Sequence, residues 1–126
     1  MKLLLDTHVL LWTISTPERI PVAVRRAIAA PGNSAYVSVV CLWEIAIKVR
    51  KGRLEAPDNL PAVIAGIPHF TILPVSAEHA WRVRQLGLLH RDPFDHLLVA
   101  QAQIEEMTVV THDREIERYG VPVLAV

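Results

Sequence analysis

Four acidic residues sit where a folded chain does not ordinarily keep a charge. Asp6 closes the apolar start of LLLDTHVLLW, and Glu44 is the one charged residue of VVCLWEIAI. Asp95 comes three residues after Asp92, in DPFDHLLVAQA, and Asp113 two residues beyond Thr111. An isolated carboxylate among apolar side chains has its pKa raised or needs a cation beside it. For Glu44 a divalent metal is one such partner and an arginine is another. Gathered in one place, the four suit Mg²⁺ or Mn²⁺: magnesium takes oxygen ligands, keeps several waters, and is held by one or two carboxylates plus substrate phosphates. A metal so held lowers the pKa of its water and stabilises charge on a leaving oxygen, which is the chemistry of phosphodiester cleavage. Whether one metal or two is used stays open.

The elements must bring the four together. Lys2 to Leu5 is a short continuous apolar run, as expected of a strand buried on both faces. Helical patterns follow at Thr7 to Ile14 and, behind Pro21, at Val22 to Ala30. Pro31-Gly32-Asn33-Ser34 turns the chain into a second strand near Ala35 to Ser38, and Ser38 caps a helix reaching about Lys51, ended by Gly52. Further elements are expected as a helix at Leu60 to Ile67, a strand at Phe70 to Pro74 and a helix at Ala77 to Leu86. Asp92-Pro93 starts a helix running to about Met107, with Leu97, Ala100, Ile104 and Met107 along one face. Strands at Thr108 to Thr111 and Val121 to Ala125 complete the series. This alternation predicts a mostly parallel sheet covered on both sides, in one domain spanning residues 1–126.

In such a sheet the ligand crevice lies at the carboxyl ends of the strands. Asp6 and Asp113 follow the first and fourth strands directly. Asp95 opens the helix that feeds the fourth strand, so that helix begins at the same edge. Glu44 lies about 9 Å of helical rise beyond Ser38, still near that edge. Topology alone therefore draws all four to one rim. Each also has a plainer reading: Asp6, Asp92 and Asp113 are well placed as N-caps, Asp95 could complete a capping box with Asp92, and Glu44 could pair with an arginine. Those readings give no reason for the acids to converge.

Composition narrows the class. Thirteen basic and thirteen acidic residues leave no net charge, so polyanion binding must use local patches. A hydrophobic content of 52% and mean hydropathy of +0.30 are high enough that part of the apolar surface could face a partner. The helical segments at 22–30 and 60–67 are candidates for it. A lone cysteine, Cys41, excludes an internal disulfide framework and fits a reducing, cytoplasmic setting; it reads as a small buried apolar residue. Asp6 interrupts the N-terminal apolar run, no small-residue cleavage site follows, and no segment has the length of a membrane span. The six histidines make no zinc spacing with Cys41. His8, His96 and His112 each neighbour one of the acids. Trp12, Trp43 and Trp81 fall in helical patterns and are expected in the core. Lys48, Arg50, Lys51 and Arg53 end the Glu44 helix, where they favour its dipole or could hold phosphates; Arg82, Arg84 and Arg91 are comparable candidates.

The segments LLLDTHVLLW, VSVVCLWEIAIKVRKGRL, HRDPFDHLLVAQA and VVTHD, in that order and spacing, resemble the PIN-domain ribonucleases, in particular the VapC-like toxins of prokaryotic toxin–antitoxin pairs. The resemblance covers essentially the whole chain. It implies an α/β/α sandwich and a Mg²⁺- or Mn²⁺-dependent endoribonuclease that hydrolyses RNA with activated water and no covalent intermediate. Its acidic quartet falls on Asp6, Glu44, Asp95 and Asp113, as catalytic and metal-binding groups. Lys48, Lys51, Arg91 and His96 become RNA-contact candidates, while Thr7, Asp92 and Thr111 would cap helices or steady the acids from behind. His96 departs from the arginine that many relatives carry, which would weaken an RNA contact at neutral pH. The resemblance also implies a homodimer and a small cognate antitoxin lying across the active-site groove, with possible larger assemblies of the two. A different class of function stays open beside it, a PIN-like module that binds RNA or antitoxin without cutting.

Overall fold

The computed structural model describes residues 1–88 and 91–126; His90, the first residue of HRDPFDHLLVAQA, lies outside them. Five strands, β1 (Lys2–Leu5), β2 (Ser34–Ser38), β3 (Phe70–Leu73), β4 (Thr108–Thr111) and β5 (Val123–Ala125), form one sheet in the order β3-β2-β1-β4-β5. Every pairing is parallel, with Leu5 opposite Val37 on one side and Val110 on the other. The helices are α1 (Thr7–Ser15), α2 (Val22–Ala29), α3 (Val39–Arg50), α4 (Leu60–Ala65), α5 (Ala77–Arg82) and α6 (Pro93–Glu105). Short 3₁₀ turns lie at Pro17–Arg19, Val83–Gln85 and Arg114–Tyr119.

Side-chain alternation along β1 divides the core in two. Leu4 faces a large cluster with Val37, Ile45, Ile64, Leu98, Val99 and Val109, whereas Leu3 and Leu5 face a smaller one with Val9, Ile20, Val24, Ile28 and Val110. All three leucines are fully buried, as a central strand with helices on both faces requires. The result is the expected α/β/α sandwich with a parallel sheet.

Several expectations need correction. The buried stripe of α6 is Leu98, Val99, Ala100, Gln101 and Ala102, while Leu97 and Ile104 are half-buried. A polar residue, Gln101, sits in the middle of that stripe and disguises it in the sequence. Its amide is matched on all sides: Ser38 Oγ donates to Gln101 Oε1, and Gln101 Nε2 donates to Pro74 O at 3.3 Å. Trp43 and Trp81 are not in the core; they are 57% and 68% exposed, on the solvent sides of α3 and α5. Trp12 is half-buried. The Ala77 helix tightens to a 3₁₀ turn after Arg82, the last strand starts only after Pro122, and the turn at Arg114–Tyr119 carries no periodic pattern that would announce it. Both doubtful helices are split in role: α2 buries Val24 and Ile28 but exposes Val22, and α4 buries Leu60 and Ile64. Among the described residues, no helix is long and apolar enough to cross a membrane.

Candidate active site

The strand order reverses at β1. From it the chain moves outward through β2 and β3, then returns to the other side of β1 for β4 and β5. Such a switch point opens a crevice at the strands' carboxyl ends. There a cavity of about 300 Å³ is lined by Asp6, Thr7, His8, Glu44, Lys48, Asp92, Asp95, His112, Asp113 and Arg114. All four acids singled out in the sequence reach its wall, as does Asp92.

Local structure fixes each carboxylate. Asp6 is the N-cap of α1: its Oδ1 accepts from Val9 N at 2.8 Å, and its own N–H donates to Val110 O at 3.0 Å. Its second oxygen, Oδ2, accepts from Thr111 Oγ1. Thr111 also accepts from Asp113 N at 2.9 Å, so this one hydroxyl ties the two acids of β1 and β4 together. Asp113 caps the following turn, its Oδ1 accepting from Glu115 N at 2.9 Å. Asp92 caps α6 through Phe94 N and Asp95 N, with Pro93 at the first helical position.

Glu44 is 7% exposed, and its cation is Lys48 rather than an arginine. Lys48 Nζ donates to Oε2 at 2.8 Å from one turn further along α3, and Thr7 Oγ1 donates to Oε1 at 2.6 Å. The i,i+4 spacing of the two is visible in the sequence. Thr7 and Thr111 therefore both act on the acids, one holding Glu44 and the other Asp6. Burial pushes the Asp6 carboxyl above its ordinary 3.8, against the downward pull of Thr111, the Val9 N–H and the His112 and His8 rings. Beneath the acids lies Cys41, whose Sγ donates to Leu5 O at 3.7 Å. Burial, with a downward pull from Thr7 and an upward push from Asp6, Glu44 and Asp95, raises its thiol to about 12.

Hard oxygen donors in this number suit Mg²⁺ or Mn²⁺ and not a softer ion. Among the described residues no three His, Cys, Asp or Glu side chains converge as a closed ligand set. Carboxylates that line one cavity without closing into a ligand set fit a cation that keeps most of its water and takes one or two protein ligands.

The remaining candidates separate. Lys48 lines the cavity, whereas Lys51, Arg91 and His96 do not; the His96 ring packs edge-on against Tyr119, with centroids 6.0 Å apart. His8, His112 and Arg114 do line it. Sequence neighbourhood pointed to the two histidines, but nothing pointed to Arg114, whose place depends on the 3₁₀ turn that Asp113 caps.

A family model for the PIN domain matches residues 3–122. Among solved structures, the chain is similar to VapBC2 from Rickettsia felis bound to a DNA fragment from its promoter, with 20% identity over 99% of this chain and 98% of that one and a TM-score of 0.73. VapBC from Salmonella typhimurium, also DNA-bound, gives 24% identity, 99% and 98% coverage and a TM-score of 0.71. VapBC-1 from nontypeable Haemophilus influenzae gives 14%, 99%, 98% and 0.72. Among curated proteins, no sequence matches the chain. With the family match running from the first residues of β1 to the last residue before β5, the chain belongs to the PIN domain family.

Proposed function

We propose that this protein is a divalent-metal-dependent endoribonuclease and the toxin of a toxin–antitoxin pair. One observation carries the reading: Asp6, Glu44, Asp95 and Asp113, drawn from four separate parts of the chain, line a single cavity at the strand-order switch. PIN domains are characteristically nucleases, and VapBC-5 from Mycobacterium tuberculosis, a further similar structure, is by name a member of the VapBC family of toxin–antitoxin systems.

Asp6, Glu44, Asp95 and Asp113 would bind or orient Mg²⁺ or Mn²⁺, one or two of them as ligands and the others orienting water around it. When bound, the cation supplies Lewis acidity, acidifying water and neutralising charge that develops on the phosphate. The chain's own contribution is placement. Thr111 and the Val9 N–H lock the Asp6 carboxylate in one orientation, and Thr7 and Lys48 do the same for Glu44. Arg114 sits on the cavity wall where a phosphate of the strand would pass. The antitoxin would settle along the apolar groove between α3 and α4, a cavity of about 580 Å³ whose lining includes Val39, Leu42, Trp43, Val49 and Pro57. It shares α3 with Glu44 but no lining residue with the acidic cavity, so the antitoxin would reach the acids through a further segment passing around that helix. Two copies of the chain would form the working unit.

Purified protein freed of antitoxin should cut RNA with Mg²⁺ and stop when EDTA is added. Asp6→Asn keeps the size and, through its one amide oxygen, the α1 cap, yet should lower the rate at least about 100-fold, as expected when a group acting directly on the transition state is lost. Cleavage by Asp6→Asn at the wild-type rate would leave the alternative, a PIN-like module that binds RNA or antitoxin and cuts nothing.

A further inference from the structure

Beside the acids lies a cluster that the hydrolytic chemistry does not use. His8, at the start of α1, and His112, just after β4, meet edge to face with ring centroids 5.0 Å apart and planes at 88°. Trp12, one turn further along α1, packs against both, at 6.0 Å from His8 and 5.3 Å from His112. The Arg19 guanidinium lies over the Trp12 ring, 4.6 Å from its centroid. Three aromatic rings and an arginine from three segments thus form one continuous surface.

Core packing does not account for it. His8, His112 and Arg19 are exposed and Trp12 is only half-buried. Both histidines of the edge-to-face pair are exposed, so ring surface remains for a further ring beside the contact each makes with Trp12. His8 and His112 are at the same time part of the acidic cavity's wall. The surface therefore begins where the cavity ends. Unpaired nucleobases are recognised by stacking on aromatic rings and on guanidinium planes, and a base within a duplex cannot offer its faces in this way. Arg19 on one side and Arg114 at the cavity supply cations for the strand's phosphates near a site otherwise rich in carboxylates.

We propose that the His8–Trp12–His112 surface, with Arg19, seats an unpaired nucleobase adjoining the phosphate that enters the acidic cavity. The placement of that phosphate rests on the nuclease reading; the stacking seat itself does not.

The test uses the full chain carrying Trp43→Phe and Trp81→Phe, both at exposed positions, so that Trp12 is the sole tryptophan. With Asp6→Asn added to prevent cutting, a mixed-sequence single-stranded oligonucleotide should quench Trp12 fluorescence saturably, and the matching duplex should do so far more weakly. His8→Ala with His112→Ala should weaken binding about 5- to 100-fold by fluorescence anisotropy of a labelled strand. Trp12→Phe, which keeps a stacking face, should bind within about 3-fold of wild type, while Trp12→Leu should resemble the histidine double variant. In the active background the same losses should fall on KM more than on kcat. Equal quenching by RNA and DNA strands supports the seat, since stacking reads no sugar. Binding without quenching, or unchanged affinity in the histidine double variant, overturns it. Quenching in the Asp6→Asn background, with no cleavage when Asp6 is restored, would sink the nuclease reading and leave the seat; cleavage with wild-type KM in the histidine double variant would do the reverse.

Discussion

Asp6 carries two duties that pull its charge in opposite directions. As the cap of α1 it profits from ionisation, through Val9 N and Thr111 Oγ1, yet burial raises its pKa above 3.8. The net shift is upward, and the sign for stability follows. Just above pH 3.8 the unfolded chain has released this proton while the folded chain still holds it, so folding is favoured by the bound proton. That contribution is full below 3.8 and is lost as pH rises through the folded value. Asp6→Asn cannot titrate there; its one amide oxygen can keep the α1 cap, while its NH₂ cannot accept from Thr111. In metal-free buffer the melting temperature of the wild type relative to the Asn variant should therefore fall as pH rises from about 4, on top of a pH-independent cost in the variant for the lost Thr111 acceptor. A difference that stays flat with pH would show that Asp6 ionises in the folded chain as freely as in water. Glu44 illustrates the other way to keep a buried acid, with Lys48 one turn away on the same helix. The pair was written plainly in the sequence as WEIAIK, yet Lys48 read there as favouring the helix dipole or holding RNA phosphates, because nothing fixed which way its side chain turned.

At the level of elements, what positions the site is the docking of α6 against the junctions that follow β2 and β3. Gln101 makes that docking specific. It accepts from Ser38, which itself caps α3 through Val40 N at 3.0 Å, and donates to Pro74 O ahead of α5. His79, also buried, closes the network: its Nδ1 accepts from Ser76 N at 3.0 Å, and its Nε2 lies 3.2 Å from Glu105 at the end of α6. Gln101→Ala would leave the Ser38 hydroxyl without an acceptor and remove the Gln101 donor to Pro74 O, and would open a void, for an expected loss of about 2–4 kcal/mol in urea unfolding. Gln101→Leu fills the space but not the hydrogen bonds and should recover less than half of it. Full recovery by leucine would mean that volume, not polarity, holds α6 in place. Elements announced by a cap or an apolar run were legible to within a few residues, as Ser38, Asp92-Pro93 and the leucines of β1 show. Three features were not. The turn after Asp113 has only Ile116 buried among charged neighbours, so it carries no period. Trp43 and Trp81 look like core to any rule that equates apolar with buried. The stripe of α6 runs through a glutamine, which such a rule assigns to solvent. Legibility failed where a contact made elsewhere in the fold, rather than local pattern, decided a residue's surroundings.

For the whole molecule, thirteen positive and thirteen negative side chains cancel, but they do not mix evenly. Five carboxylates, Asp6, Glu44, Asp92, Asp95 and Asp113, line one cavity, where Lys48 and Arg114 are the lysine and arginine among its lining residues. The four acids of the quartet were legible from topology because a parallel sheet delivers strand ends and helix starts to one edge, whatever the loops do. Their mutual repulsion follows from the same convergence, but its size was not legible, since it depends on how closely the caps and threonines hold them. Like charges so placed repel, and the fold must carry that repulsion until a cation relieves it. Binding to the folded chain alone then adds stability by mass action: about 2.7 kcal/mol at a hundredfold excess of ion over Kd. For a chain of this length that corresponds to a rise in Tm of roughly 10 °C. Mg²⁺ and Mn²⁺ should each produce such a rise, and EDTA should reverse it. Asp95→Asn removes one charge from the cluster, so it should melt at or above the wild type without metal and gain much less when metal is added. Both halves of that result are needed. A variant that merely damaged α6 would melt lower in both conditions, and a wild-type Tm indifferent to both ions would remove the metal from the proposed chemistry altogether.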